Sequence, residues 1–200
     1  EPVLVSWTLY NEGLPLLRKK FALGKPVRKA LVSVCGLGHY ELFLNNRKVG
    51  DRFLDPSRSN YEKTVYYTTY DITDMLGKGG NVFGAMLGKG LYHTEGDRRR
   101  HRAVRTDNPL TLVLQAKIVY EDGTSEYVLS DGEWKAQAGP IMHDSLLGGT
   151  DYDARRMPAG WRERDFDDSD WKAVDIREGP GGRLRASEMP PMRVFEIFPP

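Results

Sequence analysis

The chain has 200 residues, 40% hydrophobic and 28% charged, with a formal net charge of +1. That length suits one large sandwich domain, and that balance excludes a disordered chain. Near-neutral charge gives no overall pull toward nucleic acid or acidic membranes, and no apolar run is long enough to cross a bilayer.

Period-2 alternation dominates the chain. Strands are predicted over 17–23 and 30–35. The only cysteine, Cys35, lies among Val32, Val34 and Leu37. It has no partner for an internal disulfide, and its neighbours predict a buried, inert thiol. Over 40–44 the alternation resumes. Asn45-Asn46 can turn because asparagine tolerates the left-handed region, and Lys48-Val49 begins the return of a hairpin. Strands over 65–70 and 82–87 flank a single helical turn at 71–76, capped by Asp71 or Thr73 and stopped by Gly77. The stretch 110–120 sets Leu110, Leu112, Leu114, Ala116, Ile118 and Tyr120 on one face, with Thr111, Gln115 and Lys117 on the other. It runs into the turn Glu121-Asp122-Gly123 and returns over 126–130. Gly179-Pro180-Gly181-Gly182 reads as a linker, and 193–198 as a last strand.

Many short strands joined by turn residues predict an all-β fold, an antiparallel β-sandwich or jelly roll with little helix. The sandwich is expected over 1–178, with 179–200 a linker and strand leading toward a following domain. Leu112, Leu114, Ile118, Tyr40, Leu42 and Leu44 are expected to share one core, because their alternation has no other economical use.

Catalytic signals are weak. There is no Gly-x-Ser-x-Gly elbow. His39, His93, His101 and His143 are scattered, with no metal-type spacing, so neither catalytic nor metal-ligating residues are assigned. The acidic stretch 165–170 could hold an acid/base pair or calcium, but it misses the EF-hand pattern at Asp170 and Ile176. The simpler reading is a turn anchored by Phe166 and Trp171. Arg98, Arg99, Arg100 and Arg102, with Arg105 nearby, form a basic run suited to an anionic glycan or to plain solvation. No aromatic residues interleave with it, which argues against single-stranded nucleic acid. In Gly88-Lys89-Gly90-Leu91-Tyr92, the glycines allow a close backbone approach, and Tyr92 either stacks on a sugar face or is half-buried at a bulge. Asp151-Tyr152-Asp153-Ala154-Arg155 either binds hydroxyl pairs or closes on itself through an Asp–Arg ion pair.

Those last two motifs belong to an ordered series. Gly36-Leu37-Gly38-His39-Tyr40, Leu54-Asp55-Pro56, the tyrosine- and threonine-rich stretch 66–76, Gly88-x-Gly90-x-Tyr92, Tyr152-Asp153-Ala154-Arg155, Gly160-Trp161, Phe166-Asp167-Asp168-Ser169-Asp170-Trp171 and Met189-Pro190-Pro191-Met192-Arg193-Val194 follow in turn. The series covers nearly the whole chain. It resembles the N-terminal region of bacterial α-L-rhamnosidases, inverting hydrolases of rhamnose-containing glycans. The resemblance implies a jelly-roll module ahead of a catalytic (α/α) barrel that carries the acid and base. It also implies export to the periplasm or beyond, and L-rhamnose binding in related modules, in one lineage with calcium. Carried over, Gly90, Tyr92, Asp153 and Arg155 would form the sugar site, and rhamnose-containing glycan and the barrel would be the partners. Two departures stand out. Lys89 and Leu91 replace the asparagine and tryptophan of Gly-Asn-Gly-Trp-Tyr, and Thr150 replaces a glutamate. The sequence therefore supports a non-catalytic sugar-binding module or a purely structural domain packed on the barrel, and offers least to an independent hydrolase. The exposure of Tyr92 separates the first two.

Overall fold

A computed structural model of the chain describes residues 1–7, 13–93, 108–146 and 148–199. Two sheets face each other in a β-sandwich. The first is centred on β8 (Thr111–Tyr120), paired along its length with β3 (Val27–Leu37). Beyond β3 lie β6 (Thr64–Asp71) and β15 (Arg183–Ala186). The other edge of β8 is shared by β9 (Ser125–Leu129) and by β1 (Leu4–Ser6), which carries β14 (Asp175–Arg177). The second sheet runs β13 (Lys172–Ala173), β10 (Lys135–Ala138), β2 (Pro15–Leu23), β7 (Gly79–Gly88), β4 (His39–Leu44), β5 (Arg47–Lys48). A separate hairpin pairs β11 (Ile141–Ser145) with β12 (Gly149–Tyr152). Every pairing is antiparallel except β15 on β6.

The predicted alternation places the core. Leu112, Leu114, Ala116 and Ile118 from β8 meet Tyr40, Leu42 and Leu44 from β4 and Phe83, Ala85 and Leu87 from β7, all buried in one cluster around Trp134. The β4–β5 hairpin turns on Asn45 and Asn46, both in the left-handed region at φ 50° and 66°. The expected helical turn is a 3-10 turn at Thr73–Met75, where the Asp71 carboxylate accepts from Thr73 N at 3.0 Å.

Sequence patterning missed the short pieces. β1, β10, β13 and β14 are too brief to show a period. Within 179–200, expected as a linker and a strand at 193–198, the ladder of this chain lies at another place. Arg183–Ala186 docks in parallel on β6, and residues 193–199 form no strand. That apolar stretch has no neighbouring ladder in this structure; its last tie is the bridge between Phe53 and Met192.

The second sheet is covered on both faces. Its outer face carries Leu16, Arg18, Phe43 and Met86, and the segment 153–171 folds over them with Trp161, Phe166 and Trp171. Gly84 seats that cover, since a Cβ there would stand 2.8 Å from the Trp161 ring. The fully buried Arg18 is ion-paired with Asp168, which also takes Lys135 at 2.9 Å, and its Nη2 donates to Glu163 O at 2.9 Å. The acidic stretch is therefore a turn, as its simpler reading holds, with Asp167 accepting from Ser169 N at 2.9 Å. Removing one partner of a buried pair strands the other charge. Asp168→Ala is expected to lower unfolding free energy by about 3–5 kcal/mol, seen as a lower denaturant midpoint. Adding Arg18→Met should recover most of the loss.

Cys35 lies on the outer face of the first sheet with Leu37, Val65 and Tyr92. Burial pushes its thiol up to about 12. The native protein is accordingly expected to leave a thiol-reactive disulfide reagent unconsumed at pH 8, with one equivalent reacting after denaturation; rapid native reaction would contradict the burial.

Candidate functional site

The loop after β7 passes between two polar side chains. Lys89 N donates to Asp144 Oδ2 at 2.7 Å, and a Cβ on Gly88 would lie 3.0 Å from the same oxygen. Gly90 adopts φ +53°, and a Cβ there would lie 3.1 Å from the His39 ring. Glycine is needed at both positions because the backbone is pressed against side chains of β4 and β11. Beside the loop is a small open pocket of about 140 Å³, whose lining includes His39, Glu41, Leu54, Met86, Ile141 and Asp144. Burial pulls the His39 imidazole down, opposed by the negative charges of Asp144 and Asp55. Glu41 is taken by Lys48 at 2.6 Å.

The four residues predicted to form a sugar site are not assembled into one. None of the four lines this pocket; Gly90 lies against the ring of His39, which does. Tyr92 is 7% exposed, edge-on to Tyr61 at 4.9 Å, in the outer cluster of the first sheet. Of the two readings of Tyr92, a stacking face or a ring packed at a bulge, this burial agrees with the second. Asp153 and Arg155 lie beyond β12, at the opposite end of the hairpin from its 145–149 tip. Asp153 Oδ1 and Oδ2 accept from Arg155 Nε and Nη2, each at 2.8 Å. Asp153 also caps the 3-10 turn Ala154–Arg156 by accepting from Arg155 N. The internal ion pair is the alternative that the geometry adopts. Arg98, Arg99, Arg100 and Arg102, with Arg105, lie outside the described residues.

His39, Glu41 and Asp144 were not singled out from sequence. His39 and Glu41 sit in an alternating strand, where a polar residue reads as a solvated face. Asp144 lies in a hairpin whose two strands show no clear period. At the positions that depart from the family pattern, Lys89 is buried, Leu91 is 40% exposed, and the Thr150 hydroxyl lies 3.4 Å from Asp144 Oδ1.

Calcium takes about six to eight oxygen ligands. Among the described residues, the carboxylate against the loop is Asp144 of β11, already accepting from Lys89 N, with Thr150 at its other oxygen. Among the described residues no three His, Cys, Asp or Glu side chains converge as metal ligands. This donor set does not fit calcium.

Two packed sheets with a pocketed loop beside them define a β-sandwich domain. The pattern described as the α-L-rhamnosidase N-terminal domain matches residues 25–196, and the chain belongs to that family. An α-L-rhamnosidase of Formosa agariphila is 38% identical over 187 residues, covering 92% of this chain and 20% of that protein. An α-L-rhamnosidase of Streptomyces avermitilis, solved with L-rhamnose, superposes with a TM-score of 0.84 at 34% identity, covering 92% of this chain and 18% of the other. That of Aspergillus terreus gives 0.88 at 28% identity, covering 96% and 23%. The chain therefore spans about one fifth of the length of the curated relatives it matches.

The Asp153–Arg155 pair gives a direct test of the site's charge. Hydrogen bonds from the Arg155 side chain hold the Asp153 carboxyl at about 2. Because the folded value is depressed, the pair's contribution is present above the unfolded value of about 3.9. It is lost as pH falls through about 2. In an NMR pH titration of the Asp153 carboxyl, Arg155→Met is expected to move the midpoint up into the ordinary range; an unmoved midpoint would remove the pair as its cause.

Proposed function

We propose that this domain serves its parent α-L-rhamnosidase as a structural module, packed within the enzyme so that it helps shape the approach of rhamnose-containing glycans to the catalytic barrel. The burial of Tyr92 carries this reading. With that ring at 7% exposure, the loop lacks the aromatic platform on which a sugar face would stack. The departures at Lys89, Leu91 and Thr150 act in the same direction, removing an amide, an aromatic ring and a carboxylate. The barrel would hold the acid and base, and an exported enzyme would meet its glycans outside the cytoplasm.

The pocket of His39, Glu41 and Asp144 favours the second reading, a sugar-binding module. Its carboxylates and imidazole could address vicinal hydroxyls, but a monosaccharide offers few atoms and affinity would be weak. Titration of L-rhamnose into the 15N-labelled chain, with and without calcium, separates the two. The structural reading expects no saturable shift at His39, Gly90, Asp144, Asp153 or Arg155, and no turnover of an aryl rhamnoside. Saturable shifts at those amides would replace it with the sugar-binding reading.

A further inference from the structure

The three most exposed large apolar side chains among the described residues lie together in one extended segment: Phe195 is 99% exposed, Ile197 82% and Phe198 77%, with Val194 beside them at 56%. Soluble surfaces seldom leave such a run in water without a partner. The segment is held at its start, where Phe53 N donates to Met192 O at 3.0 Å and Arg193 Nε meets Asp51 at 2.9 Å. Past Arg193 its backbone has no ladder partner among the described residues.

The sequence of this segment is that of a strand. Val, Phe and Ile favour the pleated conformation. Period-2 geometry puts Phe195 and Ile197 on one face and Val194, Glu196 and Phe198 on the other. Apolar residues on both faces suit a strand covered from both sides, as in a sheet inside a domain. Burying these side chains also takes the flanking N–H and C=O groups out of water, and only a ladder satisfies them along the whole run. The family match reaches residue 196, so the first part of the segment, 193–196, lies within the shared pattern of a family whose matched relatives are about five times longer than this chain.

We propose that residues 193–198 form a β-strand in the intact enzyme, added to the open edge of a sheet in the part of the parent protein outside this chain. The acceptor is a β-sheet unit and not the barrel itself, because a barrel of helices has satisfied its own backbone and offers no open ladder. The proposal rests on the reading that the domain packs within its parent.

Two measurements on the full-length enzyme test it. In hydrogen exchange, alternate amides of 193–198 are expected to exchange at least about 100-fold more slowly than the exposed loop at 179–181. In hydroxyl-radical footprinting, Phe195 and Ile197 should be oxidised far more slowly than Tyr127, which is 51% exposed on β9. Amides that exchange as fast as that loop overturn the strand. If Ile176, Leu184 or Tyr152 is then shielded, the domain still packs within the enzyme and only the strand falls. If every exposed apolar side chain reacts freely, the packing reading falls with it.

Discussion

Period-2 geometry gives every inward residue of a strand an outward neighbour, and in the second sheet of this domain those neighbours cannot be left to water. Leu16, Phe43 and Met86 are apolar, and Arg18 is a fully buried cation. The segment 153–171 answers both demands: Trp161, Phe166 and Trp171 cover the apolar side chains, and Asp168 supplies the counter-charge. Stacking of Trp161 on Trp171 at 6.2 Å and of the guanidinium over Phe166 at 5.1 Å ties the two roles together. The rest of the domain depends on this cover. It sets the course of the chain from Asp153, beside the β11–β12 hairpin, to Trp171, just before β13.

The same logic explains where the ring of Tyr92 goes. The first sheet also has an apolar outer face, with Cys35, Leu37 and Val65, and Tyr92 is the aromatic residue nearest in sequence to hand to it. Tyr92 and Tyr61 close over that face edge to face, while the backbone at Lys89 stays tied to Asp144 of β11. Burial of an aromatic side chain is worth about 1.5–3 kcal/mol.

Membership in the α-L-rhamnosidase N-terminal domain family sets this chain beside relatives about five times its length. Much of the apolar surface that the sandwich does not use lies at 194–198.

By itself the sequence determined the long strands, the turns and the shared core, because alternation and turn chemistry are local. Leu112, Leu114 and Ile118 could be placed on one face of 110–120, and Asn45-Asn46 in a hairpin, from neighbours within a few residues. The ordered motifs also carried the family. Other features were decided only by tertiary structure. Where the ring of Tyr92 packs depended on Tyr61, in the turn before β6, and Cys35, on β3, both distant in sequence. Arg18 could not be seen as buried until Asp168, 150 residues away, was brought to it. The strand at 183–186 exists through its pairing with β6, and the segment 193–199 lacks one for want of a partner. Local pattern states what a residue prefers; burial and charge pairing depend on which distant residue arrives beside it.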